Sequence, residues 1–427
     1  MPTAFNVIEY CYHAVGQGLF TSGALIKRGD LGSRFRWVYD CGTNSGQQLI
    51  AAEIHNTPWL RLASQERLHL VVISHFDGDH ISGLAMLLGR FPVDTLLLPY
   101  APLATRLMLA FEQGVSAASP LFRLFVDPVG YIRALDGGER IARIVFVLPS
   151  NGEGAPPPPD DPDEPLGPER EGELYLQVDA DAPGAELDEE LMIGDGPGTG
   201  VEVLRQGGRL WLDSLWEFVP YNNAEIAPAD LEGFRLEVQV RRDALAMAAE
   251  AWRAEKDPDK ESAVHEAIES LKRYYDGQFG ADPKPRNLIS LFLYSGPLFH
   301  VPRSYSFEVH TSFGGGHRHW LGRIAQLFCG DGYIDNADRL DALQKHFKSR
   351  RLDRMGIFQV MHHGSRANWH AGVAAALKPE VSVFSSDPAR GNTYHPHAEV
   401  LRDFWPYCPV QVNREAGTVF IDLDRYI

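Results

Sequence analysis

The sequence predicts an α/β fold, either one elaborated domain or two, across 427 residues. Three observations carry this. Short apolar runs rich in β-branched residues recur along the chain, with segments of helical periodicity between them. Several of the runs end in loops dense with His and Asp, and loops beyond the carboxyl ends of strands are where α/β folds gather ligands. An acidic, proline-rich stretch at 151–200 breaks the pattern, so one strand-rich region precedes it and another follows further on.

Taken in order, residues 5–12 read as a first strand and Ala14-Val15-Gly16-Gln17-Gly18 as the turn after it. Residues 24–27 continue a strand pattern into 35–42, which is β-rich and ends on Gly42. Helical patterning covers 47–55. The run 68–73, LHLVVI, has the length and branching of a buried strand, and a helix is expected over 82–88. Residues 96–99 and 144–148 are two more buried strands.

At Pro149 the character changes. Residues 151–200 hold four successive prolines from Pro156, fifteen Asp or Glu and a single basic residue, Arg170, and so account for −14 of the formal charge of −17. Such a composition buries too little apolar surface to order itself, which predicts an insert or linker, although 174–178 and 191–193 are apolar enough to pair or dock. The insert reads either as an acidic mimic of a nucleic-acid backbone lying over the site or as a target for activating proteolysis. The rest of the chain is nearly neutral, so net charge does not exclude a polyanionic substrate.

Beyond the insert, 209–218 is a strand candidate with large aromatics, and 229–254 and 259–276 read as helices broken at Asp257-Pro258. Residues 201–285 are therefore expected to form a small α-rich elaboration whose aromatics are core. Strand pattern returns at 287–294, 325–332 and 357–361, with a helix through 341–347. A last unit, a strand at 381–386 and a helix from Ala398, encloses a loop ending Asn392-Thr393-Tyr394-His395-Pro396-His397. Cys11, Cys41, Cys329 and Cys408 are far apart and are expected to be reduced, mostly buried thiols. No basic leader and no apolar run approaching about 20 residues is present, which predicts a cytoplasmic protein without a membrane partner.

The densest chemistry lies in Ser74-His75-Phe76-Asp77-Gly78-Asp79-His80. Imidazole and carboxylate hold zinc, manganese or iron, and alternation would point residues 75, 77 and 79 to one side of an extended segment. Asp331 stands between two glycines that let a cation approach it, and His362-His363-Gly364-Ser365 ends the strand at 357–361. His75, Asp77, Asp79, His80, Asp331, His363 and His395 suffice for two divalent metal ions. The expected grouping is His75, Asp77 and His363 on one ion, Asp79, His80 and His395 on the other, and Asp331 between them. Ions about 3.5–4 Å apart clamp the attacking and leaving oxygens of a phosphodiester and bring a bridging water towards neutral pKa. His362, beside a ligand, is the candidate to bind phosphate or protonate the leaving oxygen, so His362 and the ligand Asp79 are the expected catalytic residues. Ser365 and Asn392 are candidate hydrogen-bond donors to substrate and equally good turn or cap residues. Asp40 is placed to order the metal loop from behind or to make a turn, and 314–319 to form a basic loop near substrate.

These motifs carry a resemblance. Through Val15-Gly16-Gln17-Gly18, the His-x-Asp-x-Asp-His loop, Cys329-Gly330-Asp331, His362-His363-Gly364-Ser365 and Tyr394-His395-Pro396-His397, the chain resembles metallo-β-lactamase-fold hydrolases. More narrowly it resembles the soluble domain of ComEC-type DNA-uptake proteins, over about 1–150 and 286–427. The resemblance implies an αββα sandwich and two divalent ions, zinc or manganese. Asp77 stands where the superfamily usually has His, and no histidine occurs between His80 and His265. The Asp variant resembles the ComEC-like branch and phosphorylcholine esterases of the same fold, which favours phosphodiester over lactam chemistry. The expected function is a free-standing DNA nuclease, acting as an antiviral defence effector restrained by its acidic insert or activated by a protease or regulatory protein. A small-molecule or head-group phosphodiesterase is the alternative, and a non-catalytic binding module a third reading.

Overall fold

Successive side chains of a strand point to opposite faces, and in the central strands of this protein both faces are apolar. The computed structural model describes residues 5–27, 34–56, 67–112, 115, 121–150, 157–159, 174–184, 200–212, 215–224, 289–298, 305–311, 317–321, 323–390 and 394–423, with single positions between 240 and 274. The strands are β1 (Phe5–Tyr12), β2 (Phe20–Lys27), β3 (Arg34–Cys41), β4 (Leu68–Val72), β5 (Val93–Pro99), β6 (Ile141–Val147), β7 (Leu176–Val178), β8 (Ala180–Asp181), β9 (Val201–Leu204) and β10 (Leu210–Leu212). They continue with β11 (Trp216–Ala224), β12 (Ile289–Pro297), β13 (Tyr305–Thr311), β14 (His317–Leu321), β15 (Ala325–Phe328), β16 (Met355–Gln359), β17 (Val381–Ser385), β18 (Pro409–Val412) and β19 (Thr418–Leu423). One sheet has the order β14-β13-β19-β1-β2-β3-β4-β5-β6-β9-β8 and the other β18-β17-β16-β15-β12-β11-β10-β7.

Three apolar clusters define the layers. Trp37, Tyr39, Leu70, Val72, Leu97 and Val145 of the first sheet meet Phe218, Leu291, Leu293, Phe328 and Ile357 of the second. The opposite faces of the same strands, Val38, Val71, Leu96 and Ile144, pack on Ile50 and Ile54 of helix Gln47–Asn56 and on Leu84, Leu87 and Leu88 of helix Leu84–Arg90. Phe292, Tyr294, Leu327 and Phe358 pack outward on helices Ala337–Leu352, Val373–Leu377 and Ala398–Phe404. The result is helix, sheet, sheet, helix, the αββα sandwich that the resemblance implies. The central pairings β3-β4-β5-β6 and β15-β16-β17-β18 are parallel. Parallel strands covered on both faces read as continuous apolar runs, which is why they are legible in sequence.

Two expected boundaries move. Within the acidic stretch, β7 pairs with β10 and β8 with β9, so 174–184 closes one edge of each sheet. These edges lie four strand spacings, about 19 Å, from β4 and β15; the rest of the stretch beyond 157–159 and Gly200 lies outside the described residues. Residues 201–224, expected within an α-rich elaboration, instead form β9, β10 and β11 of the sandwich. The described positions between 240 and 274 are helical, as expected. Trp216 and Phe218 are core. Residues 317–319, read as part of a loop near substrate, begin the edge strand β14. The cysteines are free, with Cys11, Cys41 and Cys329 buried and Cys408 half-buried. Among the described residues no helix is long and apolar enough to cross a membrane.

A buried ion cluster ties the acidic stretch to the second sheet. Glu217 on β11 accepts from Arg209 Nη1 at 2.9 Å and from Arg351 Nε at 2.9 Å, and Arg351 Nη2 also donates to the Pro159 carbonyl at 2.8 Å. All three side chains are buried. Glu217→Ala would leave two guanidinium groups without their carboxylate, and a loss of about 3–5 kcal/mol is expected in urea unfolding; Glu217→Gln, which keeps an acceptor, should lose less.

His346 supplies a pH signature. Its Nε2 bonds the Pro220 carbonyl at 2.9 Å, and its ring packs on Tyr221. Burial pushes its pKa down to about 4. The unfolded chain therefore takes up this proton first, so the stability contributed is complete above pH 6.5 and is lost as pH falls towards 4. His346→Gln should flatten that part of the stability–pH curve by about 3 kcal/mol, measured as the difference between wild type and variant in urea titrations from pH 7.5 to 4.

Candidate metal centre

The candidate ligands come from the carboxyl ends of β4, β15 and β16, where parallel strands of both sheets terminate side by side. His75 and Asp77 leave β4 in extended backbone, but residues 78–81 turn into the short helix Gly78–Ile81, with Asp77 as its N-cap. Asp79 and His80 therefore reach inward from a helical turn, not from the extended alternation expected. The loop is held from beneath by Gly42: a Cβ there would lie 2.3 Å from the His80 nitrogen. Gly330, at φ +51°, brings the chain against Ser74 so closely that a Cβ would lie 2.7 Å from its Oγ. Asp331 is thereby placed opposite the loop.

Four imidazoles face that one carboxylate. His75 Nε2 lies 3.7 Å and His362 Nε2 3.5 Å from Asp331 Oδ2, while His80 Nε2 lies 3.1 Å and His363 Nε2 3.7 Å from Oδ1. His75 Nε2 is also 3.8 Å from Asp77 Oδ2, and His363 Nε2 3.3 Å from Asp79 Oδ2. Ligands bound tetrahedrally at about 2.0–2.1 Å stand roughly 3.3–3.4 Å from one another, so these spacings match the edges of two coordination polyhedra sharing Asp331. Among the described residues, Asp79, His80, Asp331 and His363 form a group whose ligand atoms all lie within 4.8 Å of one another.

The opposite ring nitrogens decide the tautomers. His80 Nδ1 is 2.7 Å from Asp40 Oδ2, and His363 Nδ1 is 2.5 Å from the Ser385 carbonyl. Both partners accept, so both Nδ1 atoms carry hydrogen. Ser74 Oγ donates to Asp40 Oδ2 at 2.6 Å and so accepts from His75 Nδ1 at 2.9 Å. Each Nε2 is then a bare lone pair in the neutral ring. His75 Nε2 is buried and makes no hydrogen bond, an arrangement that costs free energy unless a cation sits between its lone pair and the carboxylates. The residues fit divalent ions.

The electrostatics agree. Burial would depress His80, but Asp331 and Asp40 outweigh it and hold the imidazole well above its ordinary range. Burial would raise Asp331, but His362, His80 and His363 hold it well below the usual carboxylate range. The centre gathers positive charge, whether protons or a metal that displaces them.

The other expected residues fall into place individually. Asp40, buried at φ +54°, accepts from the Ser74 N–H at 2.6 Å as well as from Ser74 Oγ and His80, so it orders the loop from behind. His395 lies beside the centre, its ring 5.6 Å from that of His362 and 6.2 Å from that of His363. The grouping thus differs from expectation: His363 stands with Asp79 and His80, and His362, expected only as a catalytic group, faces the same Asp331 oxygen as His75. Ser365 is buried and its Oγ accepts from the Ala367 N–H at 3.3 Å, the capping use. His397 occupies the N-cap position of helix Ala398–Phe404 without a side-chain capping bond. Asn392 lies outside the described residues. The Val15–Gly18 turn supports the loop through Leu19, whose N–H donates to the Asp79 carbonyl at 3.0 Å.

Two supporting residues escape sequence reasoning. Gln359 Oε1 accepts the Cys329 and Gly330 N–H groups at 2.8 Å each, shaping the turn that presents Asp331. A polar residue closing an apolar strand just before the His pair was its readable signal. Asn368 bonds His362 Nδ1, and nothing in its sequence context distinguishes it from any loop asparagine.

The four-layer α/β sandwich gathers at its strand ends a His/Asp group able to hold a metal ion. Residues 31–212 of the 427 match the family described as the Metallo-beta-lactamase superfamily, to which this part of the chain is therefore similar. That match contains Asp40, His75, Asp77, Asp79 and His80; Asp331, His362, His363 and His395 lie beyond it and join the site through the fold. No protein of curated function matches the chain.

Asp40→Asn would present an amide N–H to His80 Nδ1 and force the wrong tautomer. Metal affinity should fall about 10–100-fold, beyond the loss of stability that removing this buried charge causes in the metal-free protein, as read by chelator competition beside calorimetry.

Proposed function

We propose that the protein is a metal-dependent phosphodiesterase working with two divalent ions, and that DNA is its preferred substrate. The observation that carries this reading is the division of Asp331, with one oxygen facing His75 and His362 and the other His80 and His363. Two ions, when bound, polarise the phosphoryl oxygens and bring an attacking water towards neutral pKa. The chain's own residues supply the orientation. Asp40, Ser74 and the Ser385 carbonyl lock three imidazoles in one tautomer, and Asp79 and Asp331 balance the charge of the centre. Three carboxylates in the set make manganese as suitable as zinc. Arg366, with its side chain 67% exposed, lies three residues beyond His363, and Tyr394, 73% exposed, adjoins His395. An exposed cation, 3.6 Å from Glu399, and an exposed aromatic ring, both close in sequence to proposed ligands, would suit a phosphate backbone and an unstacked base.

One observation favours a second reading. A narrow crevice beside His75 and Asp77 is walled by Phe76, Leu109, Phe125 and Ile289. Apolar walls beside the proposed ligands would face the organic part of a small substrate, as in a head-group or small-molecule phosphodiesterase.

The test is hydrolysis of single-stranded, duplex and plasmid DNA and of a generic phosphodiester dye, with manganese or zinc, beside His75→Ala and Asp331→Ala. DNA cleavage that falls at least about 100-fold in both variants is expected, since each removes a proposed ligand. Dye hydrolysis without DNA cleavage would move the assignment to the second reading, and inactivity on every substrate with both metals would end both.

A further inference from the structure

From the geometry we infer that His362 is a metal ligand, not the proton donor suggested by its place in the sequence, and that Asn368 is the positioning residue that makes it one. The inference rests on the two-ion reading above and specifies the first ion's set as His75, Asp77, Asp331 and His362.

The argument begins at Asn368, which is fully buried. Its Nδ2 donates to the Asp331 carbonyl at 2.8 Å and to the Gly332 carbonyl at 3.4 Å. Two acceptors on that side identify it as the amide nitrogen, so the atom 2.7 Å from His362 Nδ1 is Oδ1, which can only accept. The ring hydrogen of neutral His362 is therefore on Nδ1. Its Nε2 has a lone pair and no proton to give, and that lone pair stands 3.5 Å from Asp331 Oδ2. Lone pair against carboxylate is repulsive unless a cation lies between, and 3.5 Å is the spacing of two ligands on one ion.

The backbone explains how neighbouring residues serve different ions. His362 and His363 have φ values of +43° and +56°, a left-handed pair that non-glycine residues adopt only when their surroundings impose it. The Gly330 carbonyl accepts the His362 N–H at 2.9 Å, and the two rings stand 75° apart. One ring is anchored to Asn368 and the other to Ser385, so one Nε2 reaches Asp331 Oδ2 and the other Oδ1. Asn368 is itself held by its backbone, with its carbonyl accepting the Ile334 N–H at 2.9 Å. One amide thus fixes both His362 and the chain that carries Asp331. His395 is not needed for either set.

The experiment counts and weighs metal in the full-length protein. Zinc is titrated against a chromophoric chelator, and cobalt is added to read the ligand-field spectrum of each site. Wild type and His395→Ala should bind two ions. His362→Ala should bind one with wild-type affinity and lose the cobalt bands of the other. Asn368→Ala should weaken one ion about 10–100-fold and leave the second within about threefold. Asn368→Asp, which keeps an acceptor for Nδ1, should recover part of that loss. His362→Ala retaining both ions at wild-type affinity, or His395→Ala losing one, would overturn the inference; should Asn368→Ala fail to fold by calorimetry, the His362→Ala and His395→Ala counts decide. Two ions lost and kept in this pattern by a protein that hydrolyses no phosphodiester would uphold the ligand assignment while ending the proposed function.

Discussion

The structure depends on one carboxylate. Asp331 is buried where the two sheets meet, with a pair of imidazole nitrogens facing each of its oxygens. A buried anion is costly by itself and becomes favourable only with positive charge and fixed hydrogen-bond partners around it. The protein supplies the partners in layers: Gln359 shapes the turn before Asp331, Asn368 bonds the carbonyl after it, and Asp40 and Ser74 hold the histidines opposite.

That arrangement is possible because each sheet ends its parallel strands at the same level. β4 delivers the His-x-Asp-x-Asp-His loop from the first sheet, and β15 and β16 deliver Asp331 and the His pair from the second. The apolar cluster between the sheets sets their distance, so packing of Trp37, Tyr39, Phe218 and Phe328 is also what sets the distance between ligands. Gly42 and Gly330 then allow contacts too close for any side chain. Strain collects at the same place, in the left-handed backbone of Asp40, His362 and His363, as is common where a site must aim side chains away from their ordinary directions.

Much of this was legible in the sequence. The buried parallel strands announce themselves as unbroken β-branched runs, and the density of ligands at 75–80 leaves little else for that loop to be. Asp40 was readable as a support for the loop because it ends the preceding strand. Legibility failed where partners were distant. The strands of 174–184 are short and pair with residues beyond the acidic stretch, so their surroundings suggested linker, and 201–224, though 209–218 has strand composition, was grouped with the helical pattern that follows it. Asn368 was silent because its role comes entirely from the carbonyls of Asp331 and Gly332 that it meets in the fold.

The sequence by itself determined the fold class, the run of strands and the identity of the residues rich in ligand atoms, because periodicity and side-chain chemistry are local properties. Only the tertiary structure decided how those ligands divide between two oxygens of Asp331, that His362 and His363 turn to opposite sides of it, and that Ser365 caps a turn. The physical reason is that tautomer, direction and spacing depend on which buried donor or acceptor lies behind each ring, and those partners, 40 residues away along the chain for His80 and 22 for His363, are chosen by packing alone.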